Sequence, residues 1–236
     1  MCFDVAVRNN EGTAILIAGP SGCGKTYRTM KFIEYKEDIF TNPACMQRIL
    51  FYYNVETDLF KEYRHMENIE WINEYPSRLD YIEEVANKYK DKGGITVIID
   101  DFASQLAPSI EKLFTALSHH KNITVFLLSQ NLFFGSKTWQ RNISLNCKHF
   151  LIFPNYRDQK QFNQFARQLE PAPGQAKYLI EAYEKISKSA DYSYLWVNCE
   201  PNLKNKFLRI RTNVMRDEWP PSFYIPRESR FEVDIC

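Results

Sequence analysis

The sequence lacks several features that would place it at once in a class of protein. No apolar run in its 236 residues approaches the roughly 20 residues that a membrane-spanning helix requires. Its six cysteines form no CxxC pair and no spacing typical of a zinc site, and no signal peptide is recognisable. We therefore expect reduced thiols and a soluble intracellular protein, in a cytoplasm or nucleus, with no membrane partner.

An excess of charge of either sign is also lacking. Thirty Lys and Arg residues stand against 29 Asp and Glu residues, which leaves a formal net charge of +1. A nucleic-acid partner would therefore have to be met by a local basic patch rather than by overall charge. Apolar residues, in contrast, are plentiful. A hydrophobic content of 44% and an aromatic content of 15% supply a full core and exclude a disordered chain.

Apolar runs alternate with stretches of helical spacing, which predicts an α/β fold with a mainly parallel sheet flanked by helices. The runs are apolar throughout, as in strands buried on both faces. Strands are predicted at 13–18, 48–53, 95–101, 123–128 and 148–153, and helices at 27–35, 79–90, 105–119, 157–169 and 174–188. A C-terminal β-hairpin is predicted from 192–199 and 206–214, whereas 54–91 is predicted to hold a surface excursion and one helix. We expect a core over 1–170, with the helix, hairpin and tail of 171–236 packed on it as a single domain.

One stretch, between the first strand and the first helix, matches the phosphate-binding pattern GxxxxGK[ST]. Its glycines let the backbone curl so that N–H groups point at a polyphosphate, and the start of the helix adds a positive dipole end. Lys25 brings a mobile charge to the β- and γ-phosphates, and the Thr26 hydroxyl is a hard oxygen ligand for Mg²⁺. Cys23 is interpreted as a small filler residue. The predicted nucleotide-binding set is Gly19, Pro20, Ser21, Gly22, Cys23, Gly24, Lys25 and Thr26.

Polar side chains end two of the predicted strands, where parallel sheets face their ligands. Asp100 is placed to hold Mg²⁺ through water, together with Thr26, and Asp101 to take the proton of an attacking water. The alternative for the two carboxylates is an N-cap pair for the following helix. Gln130 is predicted to orient that water or to sense the γ-phosphate, with an ordinary turn as its alternative.

Basic residues supply two further candidates. Arg141 or Arg157, delivered by a neighbouring subunit, could neutralise charge in the transition state. The segment 204–216 carries five basic residues and no acid, and a strand would place Arg209 and Arg211 on one face. Such a ribbon suits contact with the phosphate backbone of DNA, but it equally fits a solvated hairpin with a protected edge.

Taken together, these motifs resemble the genome-packaging ATPases of double-stranded DNA viruses and virus-like transposons, in the FtsK–HerA superfamily. The likeness is greatest to the Maverick/Polinton and poxvirus type and covers roughly 13–170, with 129–161 as its specific part. It implies a P-loop NTPase of the additional-strand type, with Lys25 and Thr26 as phosphate and metal residues. Asp100 matches the Walker B carboxylate, and Gln130 the polar residue that ends a strand inserted between the two motif strands. Arg141 matches a basic residue near a subunit boundary.

The resemblance implies a Mg²⁺-dependent ATPase that forms a ring, pentameric or hexameric, and moves double-stranded DNA into a capsid. Capsid vertex proteins would be partners, at assembling virions in the host cell. The superfamily often has Glu where Asp101 stands, so the assignment of Asp101 as the general base stays open. If Asp101 is not a working base, a non-catalytic nucleotide-gated scaffold is an alternative function. A small-molecule P-loop kinase, such as a nucleotide kinase, is a further alternative. The mostly apolar segment 133–139 lacks the arginine-rich lid that such a kinase needs.

Overall fold

A computed structural model describes residues 6–102, 107–133, 137–170, 176–189, 191–203, 208–218 and 220–225. Its centre is a nine-stranded sheet. The strands are β1 Thr13–Ala18, β2 Ile49–Tyr53, β3 Ile69–Ile72, β4 Ile95–Asp100, β5 Ile123–Ser129, β6 His149–Ile152, β7 Leu195–Asn198, β8 Ile210–Thr212 and β9 Ser222–Phe223. The α-helices are α1 Lys25–Glu34, α2 Lys36–Ile39, α3 Asp58–Tyr63, α4 Leu79–Tyr89, α5 Ser118–His120, α6 Thr138–Asn146, α7 Gln159–Leu169 and α8 Lys177–Ser187.

The strands lie in the order β3-β2-β4-β5-β1-β6-β7-β8-β9. The first six in that order pair in parallel, and the pairs from β6 to β9 are antiparallel. Because β5 lies between β4 and β1, the predicted inserted strand is confirmed. The carboxyl ends of β4, β5, β1 and β6 therefore meet at one end of the sheet, where the predicted site residues other than the two candidate arginines lie.

The sheet separates two hydrophobic layers, and the two-residue period of a strand divides its side chains between them. Along β1, Leu16 packs in one layer and Ile15 and Ile17 pack in the other. Helices α4, α6, α7 and α8 contribute to the first layer, and α1, α2 and α3 to the second. Both faces of the central strands are thus covered, which explains why their sequences are apolar throughout.

The predicted parallel sheet and C-terminal hairpin are confirmed, but the sequence patterns did not predict five of the described elements, α2, α3, β3, α6 and β9. The interpretation of 54–91 as an excursion with one helix is wrong, since α3 and β3 also lie there and β3 extends the sheet beside β2. This four-residue edge strand is too short to show a pattern. Helix α6 buries only Ile143, so its sequence also lacks a clear helical period of apolar residues.

Some predicted elements fall partly outside the described residues. These are the start of the helix at 105–119, the first residues of the helix at 174–188 and of the hairpin arm at 206–214. Within the described part of the first, a 3₁₀ turn Pro108–Ile110 and a π-helical stretch Leu113–Leu117 lead into α5. Among the described helices, none is long and apolar enough to cross a membrane.

Candidate functional site

The predicted phosphate loop joins the carboxyl end of β1 to α1, and its glycines are needed for two different reasons. Gly22 and Gly24 have φ angles of +76° and +94°, in the left-handed region that side chains disfavour. Gly19 is needed for space, because a Cβ there would lie 2.6 Å from Cβ of Phe153 and 2.7 Å from Sγ of Cys23. Burial raises the pKa of the Cys23 thiol, so this cysteine is a packed thiol rather than a reactive one.

Lys25 is the first residue of α1, and its side chain turns back over the loop. The Nζ atom donates hydrogen bonds of 2.9 Å to the carbonyl oxygens of Gly19 and Pro20. The first turn of α1 has no acidic residue to offset its positive end. A positive charge and the start of a helix therefore act on the same loop, as an anionic phosphate chain requires.

Thr26 and Asp100 are brought together as the metal prediction requires. Thr26 Oγ1 donates a hydrogen bond of 2.8 Å to Oδ2 of Asp100, the last residue of β4. Only 8% of Asp100 is exposed, and this burial raises its pKa to about 6, although the Thr26 hydrogen bond and the Lys25 charge lower it.

These two oxygens fit Mg²⁺, which takes one or two protein oxygens and fills its octahedron with phosphate and water. Among the described residues, no group of three or more His, Cys, Asp or Glu side chains forms a separate metal site. The donor set at the loop therefore suits a nucleotide-bound Mg²⁺ rather than a metal caged by the protein alone.

Asp101 and Gln130 also meet in the structure. Strands β4 and β5 are neighbours with Asp100 opposite Leu128, so Gln130 comes just past the end of the shared edge. Gln130 Nε2 donates a hydrogen bond of 3.2 Å to Oδ1 of Asp101. Asp101 is exposed and has a φ of +62°, a conformation that concentrates at functional sites. A carboxylate and an amide thus share the space in front of the buried Asp100.

Neither candidate arginine reaches this group. Arg141 is exposed on α6, and Leu145, one turn later on the same helix, is 67% exposed. Arg157 is exposed just before α7. Within the described ranges, neither side chain forms an ion pair or hydrogen bond with the loop or with the two aspartates.

The idea of a basic DNA-binding ribbon at 204–216 is wrong for Arg211. This residue is 3% exposed, and its guanidinium lies 5.5 Å from the centre of the Trp196 ring. The reason is that Arg211 lies opposite Trp196 of β7, so the two side chains pack together on one face of the sheet. Arg209 is half-buried, and Lys204 and Lys206 lie outside the described residues.

Gln161, for which no role was predicted, holds the loop that leaves β5. Its Oε1 accepts hydrogen bonds of 3.0 Å and 3.1 Å from the N–H groups of Leu132 and Phe133. Its Nε2 donates a bond of 2.6 Å to Asp158, the N-cap residue of α7. The spacing Asp158-x-x-Gln161 is that of a capping box, which is the signal that could have drawn attention to it.

No protein-family model and no curated protein sequence matches the chain. Among solved structures, the genome packaging NTPase B204 from Sulfolobus turreted icosahedral virus 2, in complex with ATP-gammaS, is similar with a TM-score of 0.50. Its identity is 12%, and the match covers 92% of this chain and 98% of that one. The cytoplasmic domain of EssC is similar over 70% of this chain and 36% of that one, with 17% identity and a TM-score of 0.45.

At these identities the likeness to B204 establishes architecture, and it agrees with what the motifs predicted. The inserted strand, the glycine loop between β1 and α1 and the buried aspartate at the end of β4 are all in place. The expected resemblance to genome-packaging ATPases is therefore confirmed at the level of the fold. This chain has the fold of a P-loop NTPase, in the form seen in a viral genome packaging NTPase.

Proposed function

We propose that this protein is a Mg²⁺-dependent ATPase that assembles as a ring and moves double-stranded DNA into a viral capsid. The observation that carries the ATPase part is the contact between Thr26 and Asp100 in front of the Lys25 loop. It sets a hydroxyl and a buried carboxylate beside a loop built for phosphates. The fold shared with a genome packaging NTPase supports the DNA-moving part.

In this proposal each residue at the loop has one task. Bound Mg²⁺–ATP would supply the phosphoryl group, together with a metal charge that stabilises the charge developing on the phosphates. The loop N–H groups and Lys25 hold the phosphates, while Thr26 and Asp100 hold the metal. Asp101 accepts the proton of the attacking water, and Gln130, already bonded to Asp101, orients that water.

The remaining charge in the transition state is assigned to Arg141 of a neighbouring subunit. Its exposed position on α6, away from its own loop, supports this assignment. The exposed Leu145 on the same helix gives that surface an apolar contact for a second copy. A ring with α6 at each boundary would then couple hydrolysis to movement of DNA, and capsid vertex proteins would hold the ring.

Hydrolysis is tested first. Lys25→Ala should abolish ATP turnover with the fold intact, and Asp100→Asn should lose Mg²⁺-dependent hydrolysis more than nucleotide binding. Lys88→Ala, which removes an exposed lysine paired with Glu84 on α4, is the matched control and should turn over normally. Full turnover by the Lys25 or Asp100 variant would remove the ATPase proposal.

A second experiment separates the motor from its alternatives. Linear duplex DNA should stimulate hydrolysis, and sizing in ATP and Mg²⁺ should show a closed oligomer. Phosphate transfer to a nucleoside monophosphate instead of water would identify a kinase. Tight nucleotide binding without hydrolysis would identify a scaffold.

A further inference from the structure

An open pocket of about 320 Å³ lies beside the phosphate loop, within the size range of small-ligand sites. Pro20, Gly22 and Cys23 of the loop form one wall. The other walls come from the segment after β6 and the segment before β7, and include Tyr156 and Tyr192. Asp100 and Gln130 end β4 and β5, on the other side of β1 from β6, so the pocket lies on the opposite side of the loop from the proposed hydrolysis chemistry.

Tyr192 is costly for the protein in two ways. Its φ of +63° lies in the left-handed region, where a bulky residue is an outlier. The residue is also 59% exposed. The ring lies over the loop, because a Cβ on Gly24 would be 3.1 Å from Cδ1 of Tyr192. Packing within the chain does not account for a strained and exposed tyrosine, and such outliers concentrate at ligand sites.

The segment that carries Tyr192 is fixed to α1. Two residues later, the buried Tyr194 donates its hydroxyl to Glu218 and accepts a hydrogen bond of 2.9 Å from the N–H of Val214. Arg28, in the first turn of α1, pairs with Glu218 at 2.6 Å and lies 5.0 Å from the centre of the Tyr194 ring. The position of Tyr192 relative to the loop is therefore set by an ion pair and two hydrogen bonds.

Tyr156 is held in a similar way on another wall of the pocket. It is 73% exposed, yet its hydroxyl donates to the carbonyl oxygen of Ser187, at the end of α8. Two exposed aromatic rings, each anchored through its surroundings, thus line one pocket.

We propose that this pocket takes the nucleobase of the bound nucleoside triphosphate, with Tyr192 stacked on the face of a purine and Tyr156 as a second wall. The proposal rests on the proposed ATP binding at the loop. A nucleotide whose terminal phosphate met Asp100 and Gln130 would project its nucleoside toward the β6 side, where the two tyrosines are. Stacking on an aromatic ring is favourable for any base, so Tyr192 contributes affinity rather than selection between adenine and guanine.

The test compares a ligand that has a base with one that has none. Binding of ATPγS and of inorganic tripolyphosphate, both with Mg²⁺, is measured by calorimetry on the full chain. Tyr192→Gly removes the ring and suits the positive φ, so it should fold at least as well as the wild type. We expect it to weaken ATPγS binding by about tenfold and to leave tripolyphosphate binding unchanged. Tyr192→Phe should keep both affinities.

The outcomes distinguish a failure of the base pocket from a failure of the proposed ATP binding at the loop. If the wild type binds neither ligand, or if Lys25→Ala leaves both affinities unchanged, ATP binding at the loop is wrong and the base pocket is wrong with it. If the wild type binds both ligands and Tyr192→Gly weakens neither, or weakens both equally, only the base pocket is overturned. Tyr89→Ala, on α4, is the tyrosine control and should change neither affinity.

Discussion

At the scale of single residues, the proposed catalytic roles of Asp101 and Gln130 depend on the hydrogen bond between them. The Gln130 amide donates to one carboxylate oxygen of Asp101. Asp101 is exposed, so its other oxygen can accept a hydrogen bond from a water. Asp100 beside it is buried and already bonded to Thr26. The two neighbouring aspartates are thus divided by environment, one suited to a metal and the other to a proton.

This division predicts different effects for two substitutions. Asp101→Asn should lower the rate constant for ATP hydrolysis by about 10²–10⁴-fold, the usual contribution of a general base, and leave binding of Mg²⁺–ATPγS intact. Steady-state hydrolysis and calorimetry are the measurements. Asp58→Asn, an exposed aspartate on α3, serves as the control. A rate unchanged in Asp101→Asn would assign the base elsewhere.

Most of the loop's structure could be predicted from the sequence because it is local. The spacing of Gly19, Gly24, Lys25 and Thr26 is set within one turn of chain and one helix start. Tyr192 was not predicted, since it meets Gly24 only through the fold and no pattern links the two positions.

At the scale of elements, α7 and the loop after β5 are joined through Gln161. That side chain satisfies two backbone N–H groups next to the segment that carries Gln130. Gln161→Leu leaves both donors without their acceptor, which costs about 1–3 kcal/mol for each unsatisfied group that stays buried. We expect lower unfolding free energy in urea and slower hydrolysis. Gln164→Leu, an exposed neighbour on the same helix, should change neither quantity.

A buried histidine on β6 makes the stability of the folded protein depend on pH. His149 is fully buried, 3.3 Å from Glu200, with the Trp196 ring, Arg211 and Lys148 also around it. Burial lowers its pKa, although the Glu200 carboxylate raises it. The folded state thus favours the neutral ring. The stability that the neutral His149 contributes is fully present above the pKa of about 6.5 that a histidine has in the unfolded chain, and it falls as the pH falls below that value.

The comparison with His149→Gln, which does not titrate, isolates this effect. The stability advantage of the wild type over the variant, measured by urea unfolding, should be largest near pH 8 and should shrink by pH 5. A difference that stays constant or grows over this range would mean that His149 is charged in the folded protein. Titrating groups that do not contact His149, such as His119, are common to both proteins and cancel.

The strands with both faces buried could be predicted, since burial alone dictates their composition. Strand β3 could not, because a short edge strand with half-exposed side chains leaves no pattern. The packing of Arg211 on β8 was also missed, since nothing in its sequence shows that Trp196 of β7 lies opposite it. This is why Arg211 was expected at the surface.

At the scale of the whole molecule, the proposed ring makes catalysis depend on two copies. If Arg141 acts on the neighbour's nucleotide, Arg141→Ala and Lys25→Ala should each be inactive alone and partly active when mixed. An arginine in this role is worth on the order of 10³–10⁵ in rate, so the rescue should be easy to measure. Hydrolysis by the wild type should also rise faster than linearly with protein concentration until rings are complete.

The double variant Lys25→Ala/Arg141→Ala is the matched control, because mixing it with Lys25→Ala supplies no intact phosphate loop. If co-assembly is demonstrated and the two single variants still do not rescue each other, Arg141 acts within its own subunit or not at all. Arg157, exposed before α7, is then the next residue to replace.

The place of β1 between β5 and β6 also governs how the chain is made. Ribosomes add about 5–20 residues per second, so this apolar strand waits on the order of ten seconds before β5 has been synthesised. Until then β1 has neither of its neighbouring strands, and the phosphate loop that follows it is not held by a sheet. If ATP binds as proposed, a nascent chain is unable to gain stability from it during that interval, and its first apolar strand is exposed to chaperones.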